Sequence, residues 1–339
     1  MKVSACTYIQ DVWALKNEKR GNTLVVFSRF CEDMAKEIKL ATTVAQQLCR
    51  LKERGMKIED ESFAEEILLD VGYYRLGFYW FPMEKKYPHR DERDHLFKDN
   101  ASFSTSVHLY EFDKAFRNLL SSYLLDIEVN VRTKVIYLIS NQHKENPTWF
   151  ADNKIVMAPY ISQLEIKYNR EVANNDVIKR HAAKHINDKY APAWKTLEYL
   201  SFGDLIRLIE NLKSSDTKLM IYGCYGFNEG KTFPNYIEIV RSLRNTCAHG
   251  HPVFDVVFPK SLRAGKLKNV LKGKNLHENF YSNMQGALLA IQYLLYYLPC
   301  NKGDEFREKM KLFFETQITE DIRPMVGYLK NVPWLTEKI

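Results

Sequence analysis

The chain has 339 residues, of which 45% are hydrophobic and 27% are charged, a composition typical of folded globular proteins. Because it holds only 14 Gly and 11 Pro, it favours helices joined by loops, and we predict a mainly α fold built as a helical bundle. Six widely spaced cysteines without a C-x-x-C pair argue against a disulfide framework. These scattered cysteines indicate a reducing compartment, so we predict a cytoplasmic protein, and no apolar stretch approaches the ~20 residues of a membrane span.

The formal net charge of +7 favours a polyanionic partner, and part of this charge is concentrated in one segment. From residue 260 to residue 274 the chain carries six basic residues and no acidic one. Such a run is either a solvated surface or a track for RNA phosphates. We predict RNA binding by these residues and by Arg241, the full set being Arg241, Lys260, Arg263, Lys266, Lys268, Lys272 and Lys274.

The N-terminal third divides into an extension at residues 1–33 and a helical subdomain at 34–110. Within the subdomain we predict helices over 34–54, which ends at a glycine, and over 61–69. An aromatic cluster follows at 73–81. Its flanking glycines and closing proline predict a turn or a bent helix, and core packing is favoured there over stacking on RNA bases.

Residues 111–339 form the main predicted domain, also helical. From Phe112 to Leu138 apolar residues recur at steps of three and four, which predicts a long amphipathic helix. We predict shorter helices over 161–174, 194–212, 235–249, 278–298 and 302–316, the apolar run at 287–298 being a core helix.

The predicted helix 235–249 carries the residues best suited to chemistry. Tyr236, Ile239, Val240, Leu243 and Cys247 fall on one apolar stripe of this helix. The opposite face carries four polar residues, for which we see no nearby acidic partner: Arg241, Arg244, Asn245 and His249.

These residue types suit the cleavage of an RNA phosphodiester without a metal. Such cleavage needs a base near neutral pH to take the 2′-hydroxyl proton, which His249 supplies. It also needs a fixed cation against the charge that grows on the phosphate, which Arg244 supplies. Asn245 is suited to position the phosphate oxygens.

Other histidines in the chain are weaker candidates. Arg90 and His95 share the spacing of Arg244 and His249 but lie in a polar stretch without an apolar stripe. His181 and His185 are four residues apart, yet Ala182 stands where a zinc protease motif has its glutamate, so we expect a solvated helix face. We therefore predict no metal and no other cofactor.

The segment Arg244-Asn245-Thr246-Cys247-Ala248-His249 resembles the R-N-x-x-A-H core of HEPN ribonucleases, in particular the abortive infection proteins of the AbiD/AbiF (Abi-like) family. Four further blocks in the same order resemble signatures of that family. They are residues 47–60, the aromatic run 73–82, the segment 112–134 with its F-D and R-T pairs, and Trp194, Glu198 and Ser201-Phe202-Gly203.

The resemblance implies a HEPN-like helical fold, RNA cleavage by a homodimer, and a role in bacterial antiphage defence or a toxin–antitoxin pair. It also implies similarity to the nuclease domains of type VI CRISPR effectors. Arg244 and His249 would be catalytic and Asn245 supporting. Where relatives continue with a second histidine, this chain has Gly250.

A second class of function stays open at this point. The chain is alternatively a catalytically silent HEPN-fold module that binds RNA and is complexed with a structured RNA or a protein antitoxin. Arg75 and Arg132, both inside the family blocks, are equally suited to pair with buried carboxylates or to contact RNA.

Overall fold

The fold was analysed in a computed structural model, which describes residues 40–339. The predicted extension at 1–33 and the first part of the predicted helix 34–54 lie outside the described residues. Within 40–339 there is no β-strand, so the mainly α prediction is confirmed. The helices are α1 (Val44–Glu53), α2 (Glu61–Asp70), α3 (Tyr73–Trp80), α4 (Phe103–Gln142), α5 (Ala158–Lys167), α6 (Asp176–Lys184), α7 (Ala193–Thr196), α8 (Phe202–Glu210), α9 (Ser215–Gly223), α10 (Thr232–Ala248), α11 (Lys268–Leu271), α12 (Met284–Leu295), α13 (Lys302–Gln317) and α14 (Arg323–Val326).

The 40-residue helix α4 is the axis of the fold, and within residues 40–339 seven helices pack on it: α3, α7, α8, α9, α10, α12 and α13. It begins nine residues before the predicted start because Ser102 caps it, accepting a hydrogen bond from the Thr105 amide at 3.1 Å. Its predicted apolar stripe is buried except at Leu119 and Leu138, which are half-buried, and helices α3, α10 and α12 pack most extensively against it. The boundary that the sequence places at residue 110 lies within this helix.

Helix α10 begins three residues earlier than predicted, at Thr232. The Glu229 carboxylate accepts hydrogen bonds from the amides of Lys231 and Thr232 at 2.6 and 2.7 Å and so satisfies the first turn. At the other end Gly250 has a φ of +67°, and the His251 amide donates to the Thr246 carbonyl at 3.0 Å. This is a Schellman ending, in which glycine relieves the strain of the left-handed conformation.

The predicted stripe of α10 is confirmed at Tyr236, Ile239, Val240 and Leu243, all buried, while Cys247 is half-buried. Together with α4 and α12, this stripe builds the core beneath the polar face of α10. All twelve residues of α12 are buried, as predicted for a core helix. Among the described residues no helix has both the length and the apolar character needed to cross a membrane.

Two predicted helices are shorter or divided in the structure. The segment 194–212 is broken because Ser201 caps α8, accepting a hydrogen bond from the Asp204 amide at 3.2 Å. The segment 278–298 contains α12 only from Met284, after Asn283 caps it through the Gln285 amide at 2.9 Å. Both breaks follow from local side-chain capping, which a hydrophobic period does not reveal.

Candidate functional site

The last turn of α10 carries Arg244 to Ala248, and His249 is its C-cap. Arg75 of α3 fixes this helix end, since its NH1 donates to the Gly250 carbonyl oxygen at 2.8 Å. A guanidinium at a helix C-terminus also compensates the negative end of the helix dipole. Arg75 therefore meets a backbone carbonyl rather than a buried carboxylate.

A buried carboxylate of α4 positions Arg244. Glu128 Oε2 accepts from Arg244 Nε at 3.1 Å, and Glu128 Oε1 accepts from Arg132 NH2 at 2.9 Å. The Glu128 and Arg132 side chains are only 8% and 7% exposed, and Arg132 also donates to the carbonyls of Leu197 and Leu200. Of the two roles considered for Arg132, pairing with a buried carboxylate is the observed one.

The sequence expectation that no acid accompanies the arginines is wrong. Glu128 lies 116 residues before Arg244 in the chain and reaches it only through the packing of α10 on α4. The acidic partner of Arg241 lies on the same helix: Glu238 accepts a hydrogen bond from Arg241 Nε at 2.8 Å. This hydrogen bond from Arg241 lowers the pKa of Glu238.

Arg244 and Asn245 line a polar cavity of about 430 Å³ between α8 and α10. Arg244 NH1 lies 3.4 Å from Asn245 Oδ1, so the amide steadies the guanidinium at the edge of the cavity. The charged lining consists of three guanidiniums and two carboxylates, those of Arg207, Arg241, Arg244, Glu210 and Glu238. An anion of phosphate size meets a small excess of positive charge there.

His249 is exposed and does not line this cavity. Within residues 40–339 its ring accepts and donates no hydrogen bond, and the ring of His251 is centred 6.2 Å away. The structure thus brings Arg241, Arg244 and Asn245 together and leaves His249 beyond the end of the same helix. One chain by itself does not join the predicted base and the predicted cation in one cavity.

The basic run is held on the surface by three buried leucines, Leu262, Leu267 and Leu271. Its six predicted RNA-binding residues are all exposed. Asn235 fixes its start, donating to the Ser261 carbonyl at 3.1 Å and accepting from the Arg263 amide at 2.7 Å. Lys260 and Arg263 line a further cavity that shares Glu210 and Glu238 with the first, so basic side chains continue along one side of α10.

Sequence reasoning missed a buried network beneath the end of α10. Asp113 Oδ1 accepts from the amides of Val253 and Phe254 at 2.9 and 2.8 Å, its Oδ2 accepts from the Tyr79 hydroxyl at 3.0 Å, and the carboxylate pairs with Arg117. Burial raises the pKa of Asp113 although Arg117 opposes the shift. The sequence did contain a signal for this network, because Asp113 and Arg117 are four residues apart and lie beside the apolar stripe of the same helix.

Cys247 also belongs to the motif, and its side chain is half-buried on the inner side of α10. Burial raises the pKa of its thiol to about 12, so the thiol is protonated near neutral pH. A protonated and shielded thiol is a poor nucleophile, which leaves the polar face as the candidate site.

The other histidines have structural surroundings. His95 lies 3.4 Å from the buried Glu84. His181 is buried and stacks on His185 at 4.4 Å, so the expectation of a fully solvated face is wrong for His181. In the described part of the chain no cluster of three or more His, Cys, Asp or Glu side chains is arranged to hold a metal ion.

Comparison with known families assigns the chain. The family model described as Abi-like protein matches residues 66–255, more than half of the sequence. The chain belongs to the Abi-like family. The matched segment of this Abi-like protein includes α3, α4, α8 and α10, and therefore both Glu128 and the hexamer that ends at His249. No significant match was found among curated proteins or among solved structures.

Proposed function

We propose that this Abi-like protein is a metal-independent HEPN endoribonuclease that acts in abortive infection or in a toxin–antitoxin pair. One observation carries the proposal: within the family-matched segment, a buried carboxylate fixes Arg244 beside a polar cavity while His249 stays exposed at the helix end. A buried ion pair that orients one surface arginine is a costly arrangement, and such groups concentrate at functional sites.

In the proposed reaction His249 takes the proton of an RNA 2′-hydroxyl, and the 2′-oxygen attacks the adjacent phosphorus. The bond from phosphorus to the 5′-oxygen breaks, and a protonated histidine returns a proton to the leaving oxygen. The products are a 2′,3′-cyclic phosphate and a 5′-hydroxyl. Arg244 stabilises the charge that develops on the phosphate, and Asn245 orients the phosphate oxygens.

We propose that a second copy of the chain completes the site. His249 is five positions after Arg244, which places the two ~140° apart on the helix, and only Arg244 reaches the cavity. A homodimer supplies a facing copy of α10, so that both arginines and both histidines meet in one shared cleft.

An exposed apolar row on α4 supports this proposed dimer. Leu125 and Val129 are 55% and 51% exposed, and they flank Glu128, which holds Arg244. Tyr137 of α4 and Trp194 of α7, 65% and 53% exposed, line a further surface cavity together. Exposed apolar patches of this kind mark interaction surfaces, and a copy seated here lies next to the site.

The proposal is tested with purified protein and end-labelled single-stranded RNA. Wild type should cut with excess EDTA present, and Arg244→Ala and His249→Ala should reduce the rate by at least about a hundredfold. His185→Ala is the matched control because His185 is likewise an exposed C-cap histidine, at the end of α6, and it should cut normally. If the His249→Ala protein cuts at the wild-type rate, His249 is not the base and the proposed mechanism is wrong. If the wild type binds RNA without cutting it, the silent RNA-binding module takes the place of the enzyme.

The shared cleft has its own test. A mixture of the Arg244→Ala and His249→Ala proteins builds clefts that lack one arginine and one histidine, so it should stay well below the wild-type rate. Val129→Glu should shift the molar mass measured by light scattering from dimer to monomer, whereas Leu312→Glu, 61% exposed on α13, should not. Full recovery in the mixture contradicts the shared cleft.

A further inference from the structure

A second cavity opens on the other side of the hexamer that ends at His249. Its volume is about 350 Å³, within the range of about 300–1,000 Å³ usual for small-molecule sites. Thr246 and His251 line it, whereas Arg244 and Asn245 line the first cavity. The last turn of α10 therefore separates a polar cavity from this second one, which we call the Asp255 cavity after the carboxylate in its lining.

The walls of the Asp255 cavity are aromatic. Phe78, Phe81 and Phe254 contribute side chains to its lining. The Arg93 guanidinium lies 4.4 Å from the centre of the Phe81 ring, and that of Arg90 lies 5.5 Å from it. Aromatic rings and guanidinium planes are the groups on which unpaired nucleobases stack.

The Asp255 carboxylate is held in place within this lining. Its Oδ1 accepts from the Tyr87 hydroxyl at 3.0 Å, while Oδ2 has no hydrogen-bond partner among residues 40–339. Burial raises the pKa of Asp255, against the opposing effects of the Tyr87 hydrogen bond and the Arg90 charge. A half-buried carboxylate with one open oxygen is able to accept a hydrogen bond from a ligand that enters the cavity.

The neighbouring arginines differ in what they offer. Arg93 is engaged by the buried Glu84, which accepts from its Nε at 2.9 Å, so it is fixed as a wall. Arg90 is exposed and forms no hydrogen bond within the described part of the chain. The cavity thus presents one carboxylate acceptor and one guanidinium donor beside aromatic walls.

We propose that the Asp255 cavity binds an unpaired guanine base of RNA, next to the bond that His249 cuts; this inference rests on the proposed function. Guanine alone among the four RNA bases has two adjacent N–H donors on its Watson–Crick edge, which match a carboxylate. Its O6 and N7 acceptors match the fork of an arginine, here Arg90. Uracil and cytosine present carbonyl or ring-nitrogen acceptors beside their single donor group, and these repel a carboxylate.

The position of the cavity fits this role. His251 lines it and lies one residue beyond Gly250, with its ring 6.2 Å from that of His249. A base in the cavity brings its ribose and 2′-hydroxyl toward His249, while the phosphate extends toward the arginine side of α10. The guanine then selects which bond is presented for cleavage.

The first test measures binding separately from cleavage. The probes are uridine decamers with 2′-O-methyl riboses, which cannot be cut, carrying one central guanine, adenine, cytosine or uracil. Wild type should bind the guanine decamer about 10- to 100-fold more tightly than the others. Asp255→Asn should abolish the preference, and the control Asp188→Asn, at an exposed carboxylate on the loop after α6, should keep it.

A second variant keeps the test valid if Asp255→Asn fails to fold. Val257 is 68% exposed at the cavity, so Val257→Trp should fold normally, fill the opening and also remove the preference. Melting temperatures establish that each variant is folded. Equal binding of all four decamers by wild type overturns the guanine assignment, whatever the protein does to RNA.

The second test sequences the ends of products cut from a random RNA library. Wild type should show guanine at one fixed position beside the cut, and Asp255→Asn should cut without it. Cleavage without any base preference overturns the inference and leaves the proposed function intact. Guanine-selective binding by a protein that cuts no RNA overturns the proposed function and leaves the cavity assigned. Preference for free guanosine monophosphate over the guanine decamer overturns the assignment to RNA.

Discussion

The substitution Glu128→Gln tests the link between the core and the site. In the wild type the Glu128 carboxylate pairs with the buried Arg132 through one oxygen and with Arg244 through the other, at 2.9 and 3.1 Å. Glutamine keeps the shape and one acceptor oxygen but removes the charge. Arg132, 7% exposed, then keeps only two backbone carbonyls and this amide as partners.

The expected loss of stability follows from that burial. Breaking a buried ion pair costs about 3–5 kcal/mol, and we expect the lower end because the amide oxygen still accepts one hydrogen bond. At roughly 1.4 °C per kcal/mol for a chain of this size, the melting temperature should fall by roughly 4 °C. Because Arg244 also loses its anchor, RNA cleavage should fall at a temperature where the variant is still folded.

The assay is thermal unfolding followed by circular dichroism, with cleavage measured at 20 °C on the same samples. Glu111→Gln is the matched control, since Glu111 lies on the same helix in an exposed pair with Lys114, and it should cost less than about 1 kcal/mol. The reasoning is refuted if the Glu128→Gln protein has the same melting temperature as the control and cuts RNA at the wild-type rate. Glu128 would then neither support the core nor position Arg244.

Three further results are expected. Leu243→Ala removes a fully buried side chain of α10 and should cost about 2–5 kcal/mol in chemical denaturation, whereas an unchanged midpoint would contradict the packing described. Alkylation at pH 8, followed by peptide mapping, should modify the exposed Cys300 quickly and Cys247 only after unfolding. The reason is that the raised pKa of Cys247 lowers its thiolate fraction by roughly a thousandfold, and equal labelling of the two cysteines would show that the Cys247 thiol is accessible. Neutralising four lysines of the basic run should weaken RNA binding and flatten its salt dependence, and an unchanged slope would make the run a solvated surface; the four are Lys266, Lys268, Lys272 and Lys274.

Local pattern was sufficient for the main helices and for the polar face of α10. The spacing from Phe112 to Leu138 predicted α4, and the stripe from Tyr236 to Leu243 predicted which side of α10 is buried, because both depend only on the helical period. The end of α10 at Gly250 was likewise visible in the sequence. Collinear blocks of residues placed the chain in its family, which the match over residues 66–255 confirms.

Tertiary packing decided what these residues meet. The hexamer by itself predicted an arginine without an acidic partner, but packing on α4 brings Glu128 to Arg244 across 116 residues of sequence. In the same way Asp113 meets the amides of Val253 and Phe254, and Asp255 comes to lie among phenylalanines from α3 and from its own segment. A helical period states which face of a helix is apolar. It does not state which distant carboxylate lies against the polar edge, since that contact exists only once two helices have packed.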